Sequence, residues 1–188
     1  MSVFASNSTP AGATSPNDAT SLPAPSWSGS DLGLLLLRWT VGLTMAAHGT
    51  QKLFGWFDGG GLDGAAGFFA GNGYEATHTM AVIAGLTETL CGLGLVIGLL
   101  TPLAAAGVVG VMLNVVAVKW GGGFFSPAGI EFELLLLAAA ASLALTGPGR
   151  FAADRLLPVL RAHRLSHGLA AVAFGAATAG IVLVTLRA

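Results

Sequence analysis

The chain has 188 residues, 54% of them apolar and only 9% charged, with a formal net charge of −1. Glycine supplies 28 more residues without a polar side chain, and the mean hydropathy is +0.77. So few charges cannot coat a soluble globule, and eight Lys and Arg leave no phosphate-binding footprint. A soluble enzyme, a nucleic-acid binder and a disordered regulator are excluded, which leaves an integral membrane protein. The single cysteine, Cys91, excludes an internal disulfide framework and any cysteine-built zinc or iron–sulfur cage.

Residues 1–30 are rich in Ser, Thr, Pro, Ala and Asn and hold no Lys or Arg. With neither a positive n-region nor an apolar h-region, they read as a disordered tail rather than a secretory signal. Five apolar stretches follow, at about 32–54, 80–100, 103–120, 130–146 and 169–186. Each approaches the span requirement of about 20 residues. The runs are continuous rather than alternating, which argues against a β-barrel. Backbone in lipid must satisfy itself, so helices are expected.

The first inter-helix loop, 55–79, is the longest. Its stretch 62–70, flanked by glycines, predicts a short interfacial helix with Phe68 and Phe69 dipping into lipid. Thr101 and Pro102 make a tight turn, so the second and third spans form an antiparallel hairpin with Pro102 in the first turn of the third. Glycines 121–123 and Pro127 separate the third span from the fourth. Arg150, Arg155, Arg161 and Arg164 cluster between the fourth and fifth spans, with Arg38 on the same side; Lys52, Lys119 and Arg187 lie opposite. The positive-inside rule then puts the N-terminus and the arginine-rich loop in the cytoplasm. Trp56 and Trp120 fall at outer helix ends, as an aromatic belt requires.

With this topology and a rise of about 1.5 Å per residue, His48, Glu88 and Asn114 come to similar depths in the outer leaflet from three different helices. Lys52 stands one turn above His48, and Lys119 and Glu131 lie near the outer interface. Ionisable groups in hydrocarbon cost at least a few kcal/mol, so they should turn inward and find partners. One reading is a polar pocket for a quinone head or another small redox molecule, with Glu88 or His48 handling protons. The other is a structural network that locks the helices together. Lys52 and Lys119 balance Glu88 and Glu131, with Glu133 in excess. Arg38, at the opposite end, is expected to pair with Asp154 or a lipid phosphate. Small residues Gly42, Ala46 and Gly49 on the first span, and Gly94 and Gly98 on the second, allow close helix approach.

These residues resemble the DoxX family, including its DoxD relatives. The matching pieces are Arg38, the run 48–55 (HGTQKLFG), Glu88 with Gly92, the turn at Thr101 and Pro102, Glu131, the Gly147-Pro148-Gly149-Arg150 turn, and Asp154. The resemblance covers about residues 33–157 and implies a four-helix membrane core in a bacterial cytoplasmic membrane. The expected architecture is therefore an all-α four-helix transmembrane bundle over 31–157, followed by an Arg-rich linker and a fifth transmembrane helix over 158–188. Members of the family are linked to membrane oxidoreductase assemblies, among them thiosulfate:quinone oxidoreductase and methylamine-dehydrogenase maturation.

The outer-leaflet polar cluster, taken with the resemblance, points to an integral membrane subunit of a redox system, binding a quinone or a small sulfur compound in that pocket. Glu88, His48 and Lys52 would be its catalytic groups, and Gln51, Asn114, Lys119 and Glu131 would bind substrate. Arg38 with Asp154 would be a structural ion pair. No metal site and no intrinsic cofactor are expected, so electrons would come from a redox partner protein or the quinone itself. The alternative is a non-catalytic anchor, homo- or hetero-oligomeric, that recruits such a partner. A small-solute transporter is a third reading, against which stand five spans without a visible inverted repeat.

Overall fold

The computed structural model describes residues 28–125, 127–158 and 163–187. The tail expected at 1–30 therefore lies outside the described residues as far as residue 27, as does Arg161. Among the described residues there are six α-helices and no strand. They are α1 (Gly29–Phe54), α2 (Gly61–Gly71), α3 (Thr77–Ile97), α4 (Thr101–Lys119), α5 (Glu131–Thr146) and α6 (Leu165–Thr185).

Local chemistry sets the ends. A reciprocal cap starts α1: the Ser28 hydroxyl accepts from the Asp31 backbone N–H, and the Asp31 carboxylate accepts from that of Ser28. Gly55 closes α1 in the left-handed conformation, and Gly98 closes α3 in the same way. Pro102 sits in the first turn of α4, as the sequence predicts. The short helix expected at 62–70 is α2.

Three helices, α3, α6 and α4 with its 3-10 extension, are long and apolar enough to cross a membrane by length and composition. The other two expected spans depart from that pattern. α5 has 16 residues, short of the roughly 20 that cross a hydrocarbon core. α1 has 26, but its sequence carries Arg38, His48, Gln51 and Lys52.

The main core lies between α1, α3, α4 and α5, around Val41, Met45, Leu95, Val108, Ala140 and Leu143. α6 leans on the outside of α4 and α5. Glycine brings α1 and α3 into backbone contact: a Cβ on Gly49 would sit 2.5 Å from the Thr89 nitrogen, and one on Gly92 would sit 2.6 Å from the Gly42 oxygen. The α3 partners of the small-residue stripe are thus Gly85 and Gly92. The sequence pairing through Gly94 and Gly98 does not form, because Gly98 is the helix cap and Gly94 faces Ala104 of α4.

The C-terminal ends of α1, α4 and α6 lie at one end of the bundle, with the N-terminal ends of α3 and α5. A second, smaller apolar cluster fills that end, built on Ala66, Phe69, Tyr74, Met80 and Ala81. Phe69 is therefore buried and meets Tyr74 edge-on at 5.1 Å, rather than dipping into lipid; Phe68 beside it is exposed. Arg187 ties the end of α6 to this corner. It donates to the carbonyl oxygens of Asn72 (3.1 Å) and Ala117 (3.3 Å), and Glu75 N–H donates to Leu186.

Candidate functional site

The site begins with two helices running in opposite directions. Side chains lean toward the N-terminus of their own helix, so Lys52 on α1 and Glu88 on α3 lean toward each other. Lys52 Nζ donates to Glu88 Oε2 at 2.6 Å. The partners differ in burial: the Glu88 side chain is 3% exposed and that of Lys52 27%.

This pair lines a cavity of about 260 Å³. Its floor is α4, from Ala106 to Val118, and its walls are α3 and α6. Phe69 and Tyr74 cover the end under the α2–α3 corner. The remaining polar lining is sparse: Asn114, Thr87, Thr178 and the Tyr74 hydroxyl. Tyr74 and Asn114 meet at 3.3 Å, hydroxyl to Oδ1, while the Asn114 amide donates back to Gly110 within α4. Burial pushes the Tyr74 hydroxyl above its ordinary pKa, while Arg187, 6.0 Å from the ring centre, pulls the other way.

A second hollow, about 330 Å³, lies on the other side of Lys52, between the end of α1 and α2. Gln51, Asp58 and the glycines at 59–61 line it, and Lys52, Phe68 and Phe69 belong to both hollows. Gln51 is held there by its amide, which donates to the Phe57 carbonyl at 3.4 Å. Lys52 thus stands between a polar vestibule and an apolar chamber.

Of the residues singled out from the sequence, the chamber gathers Glu88, Lys52 and Asn114, and the vestibule holds Gln51. His48 lines neither hollow; its ring lies 6.2 Å from that of Phe132 on α5. Lys119 lies elsewhere too, donating to Glu133 Oε1 at 2.8 Å. Glu133, counted as surplus in the sequence, is therefore the partner that Glu131 was expected to be. Glu131 stands half-buried at the first turn of α5, outside both hollows.

Arg38 and Asp154 meet at the far end, each 1% exposed. Among the described residues they close no direct ion pair. Arg38 donates to the carbonyl oxygens of Pro148 (2.7 Å) and Phe151. Asp154 accepts the backbone N–H groups of Leu100 (2.6 Å) and Thr101 (2.9 Å), and so caps α4. Leu100 needs that support, since its φ of 51° is a conformation most residues avoid. The pairing expected from charge alone is replaced by two sets of backbone contacts that fasten the same turn.

Sequence reasoning passed over Tyr74 and the α6 wall, and assigned Phe69 to lipid. Tyr74 is the one tyrosine of the chain, placed between an amphipathic helix and a span. Thr178 interrupts an otherwise apolar stretch of the fifth span. Those two features were the available signals.

A helical bundle with an apolar exterior, spanning-length helices and buried ion pairs is a helical integral membrane protein. The DoxX family model matches residues 33–120, so that segment, from α1 to the end of α4, is a DoxX domain. Comparison with curated proteins gives no match, and comparison with solved structures gives none either.

Proposed function

We propose that this chain is the membrane subunit of a redox system and that its chamber binds a quinone-like lipophile. The observation that carries the reading is the Lys52–Glu88 pair set into the wall of an otherwise apolar cavity of about 260 Å³. That volume lies just below the roughly 300–1,000 Å³ of pockets that enclose drug-sized ligands, and the mostly apolar lining with few polar groups is typical of such pockets. It suits one ring.

Lys52 donates to a carbonyl oxygen of the ring; Glu88 gives the ring one of the two protons that two-electron reduction to the quinol consumes, and the second enters from the vestibule side past Lys52. The two electrons come from a partner protein, since the sequence offers no haem, flavin or metal motif. His48, Lys119 and Glu131 fall outside this mechanism; Gln51 lines the vestibule on the water side of Lys52. In this reading the arginine-rich end faces the cytoplasm of a bacterial cell and the vestibule faces outward.

The anchor reading draws on one observation of its own: Lys52 is already paired with Glu88, and Lys119 with Glu133, although Glu133 Oε2 stays buried without a hydrogen-bond partner. Purification in mild detergent, with mass spectrometry of everything retained, separates the two. A retained quinone that is lost on Glu88→Gln supports the redox chamber. A retained soluble redox protein, with no small molecule and no response to Glu88→Gln, supports the anchor.

A further inference from the structure

The chamber has a side wall that is not closed. α3 and α6 both lean on α4 but do not pack against each other along their length. They converge only at the α2–α3 corner, where Val182 and Leu186 join the Phe69 and Tyr74 cluster. Between them lies a slot. Ile83 on α3 is 50% exposed and Phe174 on α6 60%, yet both line the chamber. Thr178, one turn beyond Phe174, is likewise exposed and lining. In a spanning bundle this slot faces hydrocarbon.

The shape of the chamber restricts what passes. Its α4 floor runs from Ala106 to Val118, twelve steps of about 1.5 Å, or about 18 Å. A volume of about 260 Å³ drawn out to that length accommodates one chain and not the two of a phospholipid. Small residues draw the walls in: Gly107 packs under Cys91 of α3 and Gly110 under Gly175 of α6, and all three glycines line the chamber. Gly175 packs so closely that a Cβ there would sit 2.3 Å from the Ala106 oxygen. The wall itself lies beyond the matched DoxX segment, which ends at residue 120.

We infer that the chamber is loaded sideways from the bilayer, through the slot between α3 and α6, by a lipophile with one hydrocarbon chain and a compact polar head. The head reaches Lys52 and Glu88, and the chain leaves past Ile83 and Phe174. α6 is then a selectivity wall, and the Arg187 tie fixes its spacing from the corner. The inference rests on the proposed function for the head group alone; the route is tested apart from it.

The full chain is reconstituted in phosphatidylcholine vesicles containing a single-chain fatty acid with a mid-chain diazirine. Irradiation and peptide mapping then locate the labels. The floor segment of α4, 107–114, is expected to be labelled in the native protein. Thr178→Trp, which fills the slot without touching Lys52 or Glu88, is expected to reduce floor labelling at least tenfold while the outer faces of α3 and α6 stay labelled. Phe174→Ala is expected to raise floor labelling. Labels confined to outer faces in the native protein overturn the inference, even if a quinone co-purifies. Floor labelling unchanged by Thr178→Trp in a protein of native melting temperature overturns it as well. Floor labelling that follows the slot, in a protein that retains no quinone, upholds the route and removes the quinone from the proposed function.

Discussion

Two buried charged sites stand at opposite ends of this bundle, and they are built differently. At the Arg38–Asp154 end, each charged side chain is bound by backbone: Arg38 by two carbonyl oxygens, Asp154 by two amides at the start of α4. Both are fully buried and line neither hollow. At the Lys52–Glu88 end, two side chains hold each other, and one of them borders two hollows. Charge bound to backbone fixes a turn. Charge bound to charge beside a cavity can exchange its partner for a ligand. The first arrangement therefore belongs to folding and the second to binding.

Substitutions can break that contrast. The largest effect is expected from Asp154→Ala, which strands two amides and removes the support for Leu100. Each buried amide left without its acceptor costs about 1–3 kcal/mol, so a loss of about 3 kcal/mol or more is expected, read as a fall in the melting temperature in detergent. Arg38→Leu should behave similarly. Next comes Gly175→Leu, which overpacks the α4–α6 contact at a cost of about 1–3 kcal/mol. It should also displace the chamber wall and so reduce bound lipophile, tying one stability effect to the binding end.

Glu88→Gln is expected to leave the melt nearly unchanged, because Lys52 can turn into the vestibule. Retained quinone should fall at least tenfold, equivalent to about 1.4 kcal/mol. If Glu88→Gln lowers the melting temperature as much as Asp154→Ala does, the two ends are alike and the contrast fails. The smallest effect is expected from Arg187→Ala. It removes two long, part-buried hydrogen bonds to carbonyl oxygens at the end of α6, worth about 0.5 kcal/mol each. Faster amide exchange over the last turn of α6 should report it, with the rest of the bundle unchanged.

Much of the helical frame was legible because apolar runs of spanning length, glycine breaks and one proline turn mark helices directly. α2 was legible for the same reason. Facing was harder to read. Glu131 and Glu133 are two positions apart, about 200° around a helix at 3.6 residues per turn. Only one of them can face α4, and packing decides which. The same applies to Phe68 and Phe69, adjacent residues of which one turns inward. Charge balance also misled at Arg38, since sequence counts charged side chains and overlooks the unpaired amides of a helix start, which are equally strong partners for a carboxylate. At the candidate site, Glu88 and Asn114 were legible from the depth they share with His48, and Lys52 from its place one turn above; His48 itself lines neither hollow. The wall on α6 was not, because nothing in a plain apolar segment says which helix it will lean on.

The position of α6 in the chain gives the chamber a history. Ribosomes release α1 to α5 first, so floor, ion pair and corner exist before the last wall does. Until α6 inserts and Arg187 reaches Asn72, Glu88 borders an open trough on the flank of α4.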